Sequence, residues 1–492
     1  MDINDWEISF KILIHMKGDY MKGDYMSQKE KVKENVFMSR EGLSDYNKLL
    51  DPEPKDPNVP SPNIILSENF RRPVSQKVWM GGSNVILLGG AGSGKTCLIK
   101  ENILQMNASY IVTDPLGMVL KSVGKTLTDH GYKIRILNLI NLEHSHKYNP
   151  LKYVKEEVEV RGLVECILSN TLSINVTIED EFFLNAERLL LSACIFYLMD
   201  FCQDESKKDF KSLLNMIKVT YKDDSAKYPL DELFVPLPQD SLAWKYYESF
   251  KQAAGKTLKK IVLSCTARLE TFVTPEFIDF SNTDEMDLAN LEKEKTAIFI
   301  VTPCVPDKYQ FLGSLIYTQT FDTLIRKDEY WAPNENYEGR RVPLRCFMDE
   351  FSNVGYIPDF VTKYCTMHKF GVSMTISFQS ISQIETIFSK DRAWKTILAA
   401  CCCVVYLGLG DPATINYLSE IFGTITIRHK NGRIKERYVV TTEELYRLGW
   451  DQCIVFPYGH HPLLDKKYKY ESHPHYKETG DFDPTNNYVF EA

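Results

Sequence analysis

The sequence predicts an α/β fold, a mostly parallel sheet covered by helices on both faces and interrupted once by an all-α inserted domain. Three observations carry this reading. Short apolar runs alternate with helical patterns from Asn63 to Leu139 and again from Thr296 to Leu407, the texture of crossover units whose strands are buried on both faces. Between these stretches, from Lys155 to about Phe280, helical periodicity prevails with few strand-like runs. A glycine-rich turn ending in lysine and threonine joins an early strand to an early helix.

Taken in order, residues 1–60 read as a polar leader or linker. They carry a tandem copy, Met16 to Tyr20 followed by Met21 to Tyr25, too short for a solenoid repeat. The run Asp51 to Pro60 contains four prolines and admits neither helix nor central strand. Residues 61–154 form the first part of a nucleotide-binding domain. Its apolar runs are Ile64 to Leu66, Asn84 to Leu88, Tyr110 to Thr113 and Ile134 to Leu139, with a helix from Thr96. The all-α insert spans 155–285, and Glu187 to Leu198 is its clearest buried helix. Residues 286–474 complete the domain through runs at Thr296 to Val301, Arg345 to Met348, Val372 to Ser377 and Cys402 to Leu407. Residues 475–492 make an acidic tail.

Composition bounds the function. The chain has 492 residues, 44% hydrophobic and 25% charged, with a net charge of −8. It is an ordinary globular chain without a globally basic surface, so any nucleic-acid contact must come from a local patch. The longest apolar stretches, Leu189 to Met199 and Ile397 to Leu409, are shorter than the 20 or so residues a spanning helix needs. The first residues carry acid where a secretory signal carries lysine or arginine, so a cytoplasmic location is expected. The 12 cysteines are scattered in apolar contexts without CxxC spacing and read as buried free thiols rather than metal ligands.

The motif Gly89-Gly90-Ala91-Gly92-Ser93-Gly94-Lys95-Thr96 matches G-x-x-x-x-G-K-[ST] in the required context of strand, loop and helix. Residues Gly90 to Cys97 are expected to hold the phosphates of ATP. The glycines let backbone N–H groups converge on a phosphate at a helix N-terminus. Lys95 supplies a point charge, and Thr96 a hydroxyl for Mg²⁺. A second acidic element must hold the metal's water, and Asp349 with Glu350 ends the apolar run Cys346 to Met348. Asp349 is assigned to Mg²⁺ and Glu350 to polarisation of the attacking water. One strand later, Gln379 ends the run Thr375 to Phe378, where adjacent strand tips meet one ligand.

These residues resemble a family. Met348 to Phe360 is similar to the second nucleotide motif of type IV secretion coupling proteins, the TraG-type conjugative DNA-transfer ATPases. The similarity, to the branch common in Gram-positive bacteria, extends through Asn84 to Lys100, Met106 to Pro115, Gly131 to Ile140, Tyr148 to Pro150, Ala253 to Lys259 and the segment from His461-Pro462 to His473-Pro474. The resemblance implies a RecA-like motor domain with an all-α insertion, assembled as a homo-oligomeric ring, a hexamer, around DNA. The implied partners are a relaxase–DNA complex and channel components of the secretion system; family members begin with membrane helices that are not read here, which leaves three expectations, a separate membrane anchor at the inner face of the cell membrane, a naturally soluble variant or a truncated gene. Two departures stand out. The family's Asp-Pro-Lys-Gly-Glu reads Asp114-Pro115-Leu116-Gly117-Met118 here, losing a charge pair, and Ala400-Cys401-Cys402 stands where the family shows Asn-Cys-Asp. A third is that the arginine supplied to a neighbour's nucleotide falls at His368, with Lys369 and Arg392 as the nearby cations.

DNA contact is expected to be sequence-independent, with single strands held by the backbone. Lys251, Lys256, Lys259, Lys260 and Arg268 gather on one helical stretch of the insert, a spacing that serves either a solvated face or a phosphate-binding one. Two functional readings compete: an ATP-driven DNA motor, and a weakly hydrolysing nucleotide-binding adaptor that recruits cargo.

Overall fold

The structure, a computed structural model, describes residues 37–490 apart from 49, 51, 57–58, 75–81, 172–177, 219–229, 255–256, 271, 273, 306–307, 332–341 and 429–433. The duplicated Met16 to Tyr25 segment and Lys256 lie outside the described residues.

Nine strands form the central sheet in the order β13-β12-β9-β3-β8-β7-β4-β6-β5. They are β3 (Val85–Leu88), β4 (Ser109–Pro115), β5 (Lys133–Asn138), β6 (Thr296–Thr302), β7 (Leu344–Met348), β8 (Val372–Phe378), β9 (Cys403–Tyr406), β12 (Gln452–Pro457) and β13 (Leu463–Lys466). The seven from β9 to β5 are parallel to one another, while β12 and β13 add an antiparallel ribbon beyond β9. Every residue of β3 is buried, and its alternate side chains feed opposite faces. Ile86 and Leu88 enter the core on one face, Val85 and Leu87 the core on the other.

The second of those faces is covered by α1 (Lys95–Ile103), α2 (Met118–Asp129) and the chain's terminal segments. The other is covered by the helices between β5 and β6 together with α7 (Gln310–Trp331). Among those helices, α3 (Glu157–Asn170) starts in a capping box between Glu156 and Glu159 and lies against α7, where Cys166 Sγ is 3.1 Å from Ser314 Oγ. Helix α4 (Ile178–Asp200) is longer than the apolar run suggested. Its stretch Glu181–Asp200 is long and apolar enough to cross a membrane, yet more than half of it is buried, and Phe196 stacks 5.3 Å from Tyr246 of α5 (Leu242–Ala254).

Several expected elements sit elsewhere. The run at Ile64 does not join the central sheet; β1 (Asn63–Ile65) pairs antiparallel with β2 (Arg71–Pro73) in a separate ribbon. The side chain of Asn102 on α1 explains why. It donates to the Ile65 carbonyl and accepts from the Ile65 N–H, closing that edge to further pairing. The ribbon β12–β13 and a second hairpin, β10 (Thr424–Arg428) with β11 (Ile434–Tyr438), were not foreseen from the sequence. The acidic tail is not a free appendage, because residues 476–490 fold back along α2. The N–H groups of Gly480 and Tyr488 donate to the carbonyls of Ser122 and Lys121, and Asp481 pairs with Lys100 of α1 at 2.7 Å.

Candidate functional site

The chain leaves β3 into the glycine loop, and neighbouring strands hold that loop from both sides. Gly89 N–H donates to the Phe378 carbonyl at the end of β8, and Gly90 N–H to the Gly408 carbonyl beyond β9. A Cβ on Gly90 would lie 2.4 Å from the Leu409 carbonyl oxygen, so only glycine fits there. Gly92 and Gly94 take positive φ of 74° and 97°, and a Cβ on either would meet no atom within 4 Å: the loop faces open space on that side. Ala91 and Gly92 form its exposed rim, while Ser93 is buried with a hydroxyl lacking any partner among the described residues.

Lys95 begins α1, and its ammonium donates to the carbonyls of Gly89 and Gly90 at 2.7 and 3.0 Å. Burial pulls its pKa down, opposed by the nearby carboxylates of Asp349 and Glu350. Thr96 Oγ1 donates to Asp349 Oδ2 at 2.6 Å. Cys97 is exposed on the same first turn.

Asp349 and Glu350 follow β7, which places them beside β8 at the carboxyl end of the sheet. Glu350 occupies the left-handed region, with φ 50° and ψ 70°, a conformation that costs a non-glycine residue about 1 kcal/mol or more. What holds it is Ser377. This hydroxyl donates to Asp349 Oδ1 at 2.6 Å and accepts from Glu350 N–H at 2.8 Å, locking the two acids into one arrangement. The Glu350 carboxylate accepts from Asn353 Nδ2 at 3.2 Å and from Gln379 Nε2 at 3.5 Å.

The structure therefore brings Lys95, Thr96, Asp349, Glu350 and Gln379 together. It does not bring His368 to them. That residue precedes β8 near Gly82 at the amino end of the sheet, whereas Gln379 follows the strand's carboxyl end. Seven strand residues at about 3.3 Å each separate the two. Leu116 and Met118, at the positions of the missing charge pair, are both 54% exposed.

Three further groups at this end of the sheet escaped sequence reasoning. Besides Ser377, Asp114 is fully buried at the end of β4, where its carboxylate accepts from the N–H groups of Val119 and Leu120 and caps α2. Burial lifts its pKa to about 7, against those two hydrogen bonds and with the charge of Asp349 adding to the rise. From beyond β13, Lys467 donates to the Ser93 carbonyl at 2.9 Å. A hydroxyl two positions before Gln379 on the same strand was the one available signal, for Ser377.

The basic stretch of the insert separates into different roles. Arg268, on α6 (Leu258–Glu270), is partly buried and points inward to the buried Glu187 Oε2 at 2.9 Å and to the Thr171 carbonyl, so its charge is spent within the insert and not on a DNA-facing patch. Lys251 pairs with Asp231 at 2.8 Å. Lys259 and Lys260 are exposed.

Comparison with known proteins agrees with this architecture. Residues 17–481 match the family model described as type IV secretory system conjugative DNA transfer. Over 408 residues, 78% of the chain, it is 20% identical to the conjugal transfer protein TraG of Rhizobium radiobacter and to that of Agrobacterium fabrum, and 21% identical to the probable TraG of Sinorhizobium fredii. The chain spans about three fifths of the length of these curated relatives, 61%, 59% and 61%. Among solved structures, the bacterial conjugative coupling protein TrwB lacking its first 70 residues superposes with a TM-score of 0.60, at 18% identity over 78% of this chain and 84% of that one. TrwB in complex with ADP and Mg²⁺ gives 0.59 at 17% identity, over 78% of this chain and 84% of TrwB. The fold is thus the RecA-like P-loop fold of these proteins, and the chain belongs to the type IV secretory system conjugative DNA transfer family.

Proposed function

We propose that this chain is an ATP-hydrolysing coupling protein: it binds MgATP at the loop Gly90 to Cys97, works as a homo-oligomeric ring of six, and drives single-stranded DNA, carried with its relaxase, into a type IV secretion channel at the cytoplasmic face of the membrane. The observation that supports it most is the hydrogen-bonded chain from Thr96 through Asp349 and Ser377 to Glu350 and Gln379, beside a glycine nest with open space before it.

The residues fit the nucleotide. The buried Ser93 hydroxyl is an unused polar group within the loop, and the Thr96–Asp349 oxygen pair is the donor set that Mg²⁺ takes. Thr96 and Asp349 would hold a Mg²⁺, which would supply positive charge against the charge that develops on the phosphates. The protein's own work is positioning. Lys95, held by two carbonyls of its own loop, exchanges them for phosphate oxygens. Glu350, fixed at its N–H by Ser377, accepts the proton of the attacking water, while the Gln379 amide orients that water or the γ-phosphate.

A neighbouring copy completes the site in this reading, since His368 lies far from its own phosphate loop. An arginine at such a position contributes about 10³ to 10⁵ in turnover, and an imidazole lacks the guanidinium fork that does so. His368, with the loss of charge at Leu116 and Met118, favours the second reading, an adaptor that hydrolyses ATP feebly while recruiting cargo. The test is ATP turnover of the purified chain with and without single-stranded DNA, beside Glu350→Gln. Turnover that DNA stimulates and the substitution abolishes is the result expected of a motor. Nucleotide binding without such turnover sinks the motor reading, and a gain of activity in His368→Arg identifies a detuned ring.

A further inference from the structure

Outside the phosphate site, three side chains from distant parts of the chain converge at the end of α2. His130 is the C-terminal cap of that helix; His475 and Glu478 belong to the segment that folds back along it. His130 Nε2 lies 2.8 Å from Glu478 Oε2, across a separation of 348 residues, and His475 Nδ1 lies 2.9 Å from Glu478 Oε1. The two imidazoles meet edge to face with centroids 4.8 Å apart, and the three ligand atoms all lie within 4.8 Å of one another. A cavity of about 150 Å³ opens beside them, lined in part by His130, His475, His473 and Lys295. Lys295 donates to the carbonyl of Met106, which lines the same cavity. His473 is 96% buried; its Nδ1 accepts the His475 N–H at 3.2 Å, which leaves hydrogen on Nε2, and that atom has no partner among the described residues.

We propose that His130, His475 and Glu478 bind a divalent transition-metal ion, zinc by the nature of the donors, with a water in the fourth position that accepts from His473 Nε2. Two imidazoles and one carboxylate suit zinc, which takes three protein ligands and a water, and do not suit Mg²⁺, which prefers oxygen donors throughout. Both imidazoles now share an N–H with the carboxylate. The ion takes the place of these two hydrogens, which move to the other nitrogen of each ring, so no oxidant, reductant or net proton transfer is required. The bound water supplies the acceptor that His473 lacks. The ion would fasten residues 473–478 to the end of α2, independently of nucleotide turnover.

The test uses the whole chain, freed of metal by chelation and without nucleotide, titrated with Co²⁺ as a spectroscopic stand-in and with Zn²⁺ by calorimetry. One ion per chain is expected, with visible d–d absorption and no thiolate charge-transfer band. Affinity should fall at least about tenfold in His130→Ala, His475→Ala and Glu478→Gln, and persist in Cys97→Ser and Asp349→Asn. The melting temperature of the wild type, but not of the three ligand variants, should rise with Zn²⁺. Glu478→Gln guards against misfolding, since it keeps the shape of a half-exposed side chain. No binding, binding unchanged by the three substitutions, or a spectrum dominated by thiolate overturns the proposal and leaves a hydrogen-bonded His–Glu–His cluster in its place.

Discussion

Thr96 and Asp349 stand 253 residues apart in the chain and share a hydrogen bond of 2.6 Å, from the threonine hydroxyl to the carboxylate. In the function proposed above, Asp349 would hold Mg²⁺ beside Thr96 through a water. Replacing Asp349 by Asn is expected to weaken Mg²⁺-dependent nucleotide binding about 10- to 100-fold. Calorimetric titration of ADP with and without Mg²⁺ checks this, because the Mg²⁺-free affinity should stay as it was.

Glu350 is expected to separate binding from chemistry. Its carboxylate touches Gln379 and Asn353 but not the glycine loop's own hydrogen bonds. Glu350→Gln should leave the nucleotide dissociation constant within a few-fold of wild type and lower turnover about 10²- to 10⁴-fold. Steady-state hydrolysis beside fluorescent-nucleotide binding distinguishes the two effects.

Asp114 gives a pH dependence of definite sign. Burial raises its carboxyl from the ordinary value near 4 to about 7, so the folded state holds a proton that the unfolded state releases. Stability from this group is present at acid pH and falls as pH rises from about 4 to about 7, then levels off. In Asp114→Asn that decline should vanish. Urea midpoints of wild type and variant, compared across pH 5 to 8, should diverge most at the alkaline end in the variant's favour.

Arg268 should affect stability rather than DNA affinity. Its partner Glu187 is completely buried, and truncating the arginine leaves that carboxylate unpaired, at a cost of about 3 to 5 kcal/mol. A lowered unfolding midpoint with an unchanged salt dependence of DNA binding is the outcome expected of Arg268→Ala. Substituting the exposed Lys260 should show the reverse pattern if the insert touches DNA.

The difference between Arg268 and Asp349 shows what a linear reading can reach. Lys95, Thr96, Asp349, Glu350 and Gln379 were legible because each sits in a local pattern, a glycine motif or the polar end of an apolar strand. Burial on both faces points to a parallel sheet, but the strand order that unites them is not contained in it. Arg268 was misread because helical spacing does not tell an inward face from an outward one; the deciding group, Glu187, lies 81 residues earlier on another helix. Ser377 and Lys467 were missed for a related reason. Their importance comes from what they touch across the sheet, Asp349 and the Ser93 carbonyl, and neither lies in a run that marks it. The acids of residues 475–492 mark them as an acidic tail and say nothing of where it lies, which its backbone and aromatic rings decide through the contacts that dock it on α2.

Asn84, just before β3, takes its partners from far ahead: its side chain accepts from Met374 N–H, 290 residues on, and its carbonyl accepts from Cys402, 318 residues on. The strand that carries the phosphate loop is therefore flanked only by late-made neighbours, β8 and β9. During synthesis at about 5 to 20 residues per second, roughly 15 to 60 seconds pass between the emergence of the loop from the ribosome and that of the strands that hold it. A nascent chain released before β8 and β9 would carry the whole glycine motif without the strands that hold it.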